Sequence, residues 1–273
     1  MRRGFSVIEL VTALVILGLV LALVVRSAVF HERFQRKTAA AGERARAAGQ
    51  AASIVAGMLS SVSVGDFVVS GVADSALDLD ALVGSGIGCL SGAVLRIGDG
   101  STTGQSSAFL GTPRAGDTVL VFDEARRPPR WVAAALASVD AGGAPCPLLG
   151  DAAIQTLRLE GALDIGPHAA FRILRRTRLS LYRSGDGAWY LGMRDWNSRV
   201  GSFNAVQPAA GPLASYQRDR ARTGLHFEFL DSLGSPVSIS RALAGEARAM
   251  QVVARAAGGP DSAFRLIGLD RAR

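Results

Sequence analysis

Residues 1–27 read MRRGFSVIELVTALVILGLVLALVVRS, and Glu9 stands inside an otherwise apolar run. Arg2 and Arg3 precede the run, and between Phe5 and Val25 no ionisable side chain other than Glu9 interrupts it. As a helix these 21 residues extend about 31 Å, the thickness of a bilayer's hydrocarbon core. The arginine pair keeps the extreme N-terminus on the cytoplasmic side, so the rest of the chain is expected to cross. A secretory signal would have a shorter apolar core followed by a small-residue cleavage site; here Arg26 and a polar helical pattern follow, which predicts a retained anchor. A lone carboxylate in lipid costs several kcal/mol unless it meets a counter-charge. The span holds no Lys, Arg or His, so the partner must come from a neighbouring molecule or from a new positive charge. Cutting between Gly4 and Phe5 would create one, an amino terminus four residues before Glu9.

Beyond the run the chain reads as an exported globular body. Its 273 residues, 49% of them hydrophobic, suffice to fill a core. The formal charge of +7 is spread over scattered arginines, a weak footprint for nucleic acid. In residues 31–62 Phe34, Ala41, Ala45, Ala48, Ala52, Val55, Leu59 and Val62 recur at helical spacing, which predicts one continuous amphipathic helix. Its stripe is mostly alanine, permitting close approach but burying little area per residue. Gly42, Gly49 and Gly57 are expected to weaken it locally.

After Ser63 short β-like runs alternate with Gly, Pro, Ser and Asp: AVLRI, DTVLVFD, RWVAAALASV, IQTLRLE, FRILRR, TRLSLYR, AWYLGMR, LHFEFLD, AMQVVARA and AFRLIGL. LHFEF alternates Leu225, Phe227 and Phe229 with His226 and Glu228, predicting one buried and one wet face. SGDG at 184–187 reads as a hairpin turn. The predicted fold is α+β, a long helix against a mainly antiparallel head of two small sheets.

Signatures of catalysis are missing. His31, His168 and His226 stand apart, GSGIGC and IGDGSTTGQSS complete no P-loop, and there is no G-x-S-x-G elbow. Asp74, Asp78 and Asp80 lie close together, but their spacing is not that of an EF-hand, and they read as a solvated strand edge. RRPPR (126–130), RRTR (175–178) and RDRAR (218–222) are candidate phosphate contacts without interleaved aromatics, and nucleic acid is not the expected partner. Cys89 and Cys146 are the two cysteines; in an oxidising compartment they pair, otherwise they are small core residues, and both readings stay open.

RRGFSVIELVTALVILGLVLALV resembles the leader and first helix of type IV pilins and type II secretion pseudopilins. The resemblance implies a prepilin peptidase that cuts after Gly4 and N-methylates Phe5, and a Glu9 that pairs with an adjacent subunit's amino terminus during filament assembly. It divides the chain into a leader (1–4), a long helix (5–62) with its transmembrane segment at about 5–25, and a β-rich head (63–273), and makes the fold pilin-like. The helix-kinking proline of major pilins is absent and Arg26 stands near its place, which points to a pseudopilin or minor pilin. The head's pattern is similar to type II pseudopilin J and the W-type minor pilins: GDTVLVFDE before a Trp-bearing strand, Cys146, VQPAAGPLASYQ, GLHFEFLDSLGSPVS and ARAMQVVARAA. The expectation is a non-catalytic subunit without cofactor, single-pass in the inner membrane, with its head in the periplasm or on an extracellular filament. Its partners are then the peptidase and other minor and major (pseudo)pilins. A DNA-uptake minor pilin and a membrane-anchored periplasmic enzyme or ligand-binding protein are the alternatives.

Overall fold

The computed structural model describes residues 7–60, 67, 71–98, 107–145, 153–260 and 262–269. One helix, α1 (Val7–Leu59), runs unbroken for 53 residues, about 80 Å at 1.5 Å per residue. Every residue from Val7 to Ala39 is exposed, and burial begins only where the head reaches the helix. There Ala47, Ala48, Ala51, Ala52, Val55 and Leu59 are buried. The expected stripe holds for Ala48, Ala52, Val55 and Leu59 but not for Phe34, which is 59% exposed, or for the exposed Ala45. Val62 lies outside the described residues. Ala47 and Ala51 join because the helix packs against two sheets at once, touching β-strands on both, and so needs a face wider than one stripe. Alanine lets the backbones approach closely, while Val55 and Leu59 each bury a full side chain worth roughly 1.5–3 kcal/mol. Gly42, Gly49 and Gly57 do not interrupt the helix, and no neighbour crowds them closely.

The strands are β1 (Ala76–Ser91), β2 (Val94–Gly98), β3 (Ala108–Phe109), β4 (Thr118–Asp123), β5 (Arg130–Ala141), β6 (Ala153–Leu159), β7 (His168–Arg183), β8 (Trp189–Asn197), β9 (Ser202–Phe203), β10 (Gln207–Leu213), β11 (Leu225–Leu230), β12 (Pro236–Val237), β13 (Ala249–Arg255) and β14 (Ser262–Gly268). All described pairings between them are antiparallel. A four-stranded sheet has the order β12-β11-β13-β14; a larger sheet runs β10-β8-β7-β4-β5-β6-β2-β1-β3, with β9 on β8. Because β7 also pairs with β1, the strands β7, β4, β5, β6, β2 and β1 close into a barrel.

The two 16-residue strands β1 and β7 therefore belong to two structures. Their outer ends, Ala76–Asp80 and Arg176–Ser180, pair within the sheet that packs on α1; their inner ends, Gly84–Cys89 and His168–Ile173, are barrel staves. Between them the register shifts by one residue at Leu82/Gly84. A one-residue shift exchanges the faces of a strand. Leu77 and Leu79 thus face the helix core before it, whereas Gly84, Gly86 and Gly88 stand opposite Ile173, Phe171 and Ala169 after it. A Cβ on Gly84 would lie 2.6 Å from the Phe109 ring, and one on Gly88 2.7 Å from Leu95, so the barrel is filled by side chains from elsewhere. Two cores result. One joins α1 to Leu179, Leu191, Phe227, Phe229 and Met250; the other fills the barrel with Val119, Val121, Leu136, Leu157, Phe171 and Ile173.

The expected strands form, with FRILRR and TRLSLYR fused into β7. Two small sheets on the helix were expected, but more than half of the larger sheet rolls away from α1 into the barrel. The SGDG turn closes the β7–β8 hairpin: Ser184 N donates to Ala188 O at 2.9 Å, Gly187 has φ +84°, and Asp186 Oδ1 accepts from Ala188 N.

Candidate functional site

Glu9 lies in the first turn of α1, where the helix dipole favours an anion. Around it Val7, Ile8, Leu10, Val11, Leu14 and Val15 are each at least 52% exposed. Thr12, the nearby hydroxyl, turns back onto the helix and donates from Oγ1 to Ile8 O at 2.9 Å. The apolar segment is solvent-exposed along its length, has a mean hydropathy of 2.9 in its most apolar window, and is long enough to cross a membrane. Gly4 and Phe5 lie outside the described residues.

Cys89 is the last β1 residue paired with β7; it stands opposite Arg96 of β2 and His168 of β7 and is 3% exposed. Its Sγ lies 3.9 Å from His168 Nδ1, and it is not a free thiol. Cys146 lies outside the described residues. Gln35 Nε2 donates a 2.9 Å hydrogen bond to His31 Nε2 on the exposed helix. No three His, Cys, Asp or Glu side chains cluster for a metal among the described residues.

Asp78 corrects the reading of a solvated carboxylate edge: it is completely buried. β1 and β7 place it directly opposite Arg178, whose Nε and Nη2 donate to its two carboxylate oxygens at 2.5 and 2.7 Å. Arg176 adds a contact at 3.8 Å. A Cβ on Gly71 would fall 2.1 Å from the Asp78 carboxylate, so only a residue without a side chain closes over it. A second pair joins Arg175 to Asp117, again through two hydrogen bonds of 2.8 Å, with Arg114 and Arg175 both reaching Asp195. The hydrogen bonds to Asp78 and Asp117 raise the pKa of Arg178 and Arg175 above the ordinary arginine value. Arg176 also stacks 4.8 Å from the Trp196 ring and Arg178 4.4 Å from Phe203. RRTR is therefore a set of structural cations at the junction of sheet and barrel, with three of its arginines engaged by aspartates.

The network was invisible in the sequence because its partners are 58 and 100 residues apart. The available signal was the coincidence of Asp78-x-Asp80 and Arg176-x-Arg178, two alternating charge patterns of opposite sign that match when the strands pair antiparallel.

His226 departs from the expected wet face. It is 7% exposed and its Nδ1 has no hydrogen-bond partner. The segment after β10 runs beside β13, with Ala214 N donating to Arg255 O and Arg255 N to Gly224 O, both at 2.8 Å. Burial lowers the His226 pKa; Glu228 and Asp74 oppose the shift, and Arg255 and Arg220 add to it.

These features define an α+β protein with a long N-terminal apolar helix, able to cross a membrane, packed on an antiparallel β region. No family model, curated protein or solved structure matches the chain.

Proposed function

We propose that the chain is a minor pseudopilin or minor pilin, processed by a prepilin peptidase between Gly4 and Phe5. It then waits in the inner membrane, single-pass, with its head across the bilayer, and joins other minor and major (pseudo)pilins near a filament tip. Its work is non-catalytic: the exposed half of α1 packs among neighbouring helices, Glu9 meets the amino terminus of an adjacent subunit, and the head limits further addition above it. The observation that carries this reading is the apolar helix, exposed on every side from Val7 to beyond Val25, with a carboxylate in its first turn. Such a helix needs a medium, first lipid and then other helices, and the carboxylate needs a cation. The same reading proposes a Cys89–Cys146 disulfide, checked by intact mass with and without reductant after thiol alkylation. Nucleic acid is not part of the proposal, since Arg175, Arg176 and Arg178 are held by carboxylates.

N-terminal mass of the chain, expressed with and without a prepilin peptidase, tests it. The expected product begins at methylated Phe5; an intact Met1, or a cut beyond Val25, overturns the reading. Glu9→Leu is expected to abolish incorporation into filaments while leaving the head's thermal unfolding unchanged.

A further inference from the structure

Of the three arginine-rich stretches, RRTR is neutralised from within, but RRPPR is not. The turn between β4 and β5, residues 124–129, is exposed throughout and carries Arg126 and Arg127; Arg130, also exposed, opens β5. The fold supplies the aromatic side chains that the local sequence does not arrange. Phe122 and Trp131 are direct cross-strand partners, with ring centroids 5.1 Å apart at 52°. Arg172 of β7, exposed, brings its guanidinium to 5.1 Å from the Trp131 ring. None of these four arginines forms an ion pair with a described carboxylate. Asp123 is turned inward, 8% exposed, and accepts from Arg126 N at 3.3 Å; Glu124 is the one acidic side chain of the turn left in solvent. Arg172 thus stands on the Trp131 ring, and Arg126, Arg127 and Arg130 are exposed in and beside the turn that joins Phe122 to Trp131, at one corner of the barrel. Pro128 and Pro129 narrow the conformations of the turn that presents them, so less entropy is lost when a partner is met.

We propose that this corner is a docking surface for an acidic segment of another protein, its carboxylates meeting the guanidinium groups and an apolar side chain resting on the Phe122–Trp131 pair. Tryptophan, phenylalanine and arginine are the residues that concentrate at the centres of protein interfaces. Guanidinium forks match carboxylates two bonds at a time, and three of the arginines fall within five residues, a compact cluster rather than a track. A single-stranded nucleic acid calls for the opposite arrangement, a groove following the backbone with free ring faces for bases; here one face of Trp131 is taken by Arg172. Charge complementarity thus favours a polypeptide, and this surface is independent of the filament reading.

The test uses the full chain in an uncharged detergent and three probes: a synthetic peptide with four glutamates around a leucine and a phenylalanine, the same peptide with glutamines, and a single-stranded oligonucleotide of matched charge. The acidic peptide is expected to bind at low salt and to weaken as salt rises. Arg126→Gln/Arg127→Gln/Arg130→Gln, three exposed substitutions outside both cores, is expected to weaken binding by about tenfold or more, and Arg172→Gln by a smaller factor. Failure of the acidic peptide to bind, equal binding of the glutamine peptide, an unaffected triple variant, or tighter binding of the oligonucleotide would each overturn the proposal.

Discussion

Asp78 shows what a buried charge requires. Removed from water, its carboxylate is held by two hydrogen bonds from Arg178 and the nearby Arg176 cation. Such a pair contributes little relative to an apolar replacement of both partners, yet losing one partner leaves an uncompensated charge. Arg178→Met is therefore expected to destabilise the head by about 3 kcal/mol, the low end for a broken buried pair, since the Arg178 side chain is 35% exposed. Denaturant melts of the variant, and of Arg178→Met/Asp78→Leu, check this: the double variant should regain most of the loss. Recovery absent from the double variant would mean that the guanidinium acts through packing on Phe203 instead.

The same scale holds a pH dependence. His226 is buried with an unpartnered Nδ1, and its folded pKa lies below the ordinary histidine value near 6.5 because burial disfavours the cation. A depressed folded pKa means that the unfolded chain binds the proton first. The stability contribution is complete above about pH 6.5 and declines as pH falls from there through the folded value. Thermal melts between pH 7.5 and 5 should show Tm falling on the acid side, and His226→Gln should flatten that slope. An equal slope in both proteins would assign the effect to other groups.

At the scale of elements, α1 carries three glycines in its head-proximal half without a structural need for them. Gly49 and Gly57 have no atom within 4 Å of where a Cβ would stand, and their backbone is helical. Gly49→Ala and Gly57→Ala are each expected to stabilise the chain by roughly 0.5–1 kcal/mol, mainly by restricting the unfolded state. Differential scanning calorimetry of the full chain in detergent reads the change; a fall in Tm would show that a side chain at these positions is not tolerated in the folded chain. The glycines of β1 are different in kind. Gly84 and Gly88 leave room for Phe109 and Leu95, so alanine at either should open or distort the barrel wall.

For the whole molecule, the barrel is an insertion between two halves of one strand pair. Leu82 and Leu174 are partners at the junction, and the residues that pack α1 belong to a core separate from the barrel's. Replacing residues 83–173 by Asn-Gly, a two-residue hairpin turn, is expected to leave a protein that unfolds cooperatively and keeps α1 docked. Circular dichroism and limited proteolysis check it, and an unfolded product would mean that the barrel supports the helix-packing sheet through Arg175–Asp117.

What could be read directly from residues was whatever local order encodes. The apolar run with Glu9, the alanine spacing of 48, 52, 55 and 59, and the alternating segments that became β2, β4–β8, β11, β13 and β14 are patterns of neighbours within a few positions. They predicted a long helix and an antiparallel head because periodicities of 3.6 and 2 state which face is apolar. One of the two longest strands escaped that reading: β1 joins DSALDLDAL to GSGIGC, and its glycines look like loop punctuation when the side chains that fill their places come from Leu95 and Phe109. Its aspartate looked solvated because its cation is 100 residues away, and His226 looked wet because alternation marks its face as polar although the folded chain buries it. Closure of six strands into a barrel, the division into two cores and the gathering of Phe122, Trp131 and Arg172 at one corner are products of long-range pairing. Alternation marks which face of a strand is apolar, but only the partner strand decides whether the other face meets water, a counter-charge or a second core.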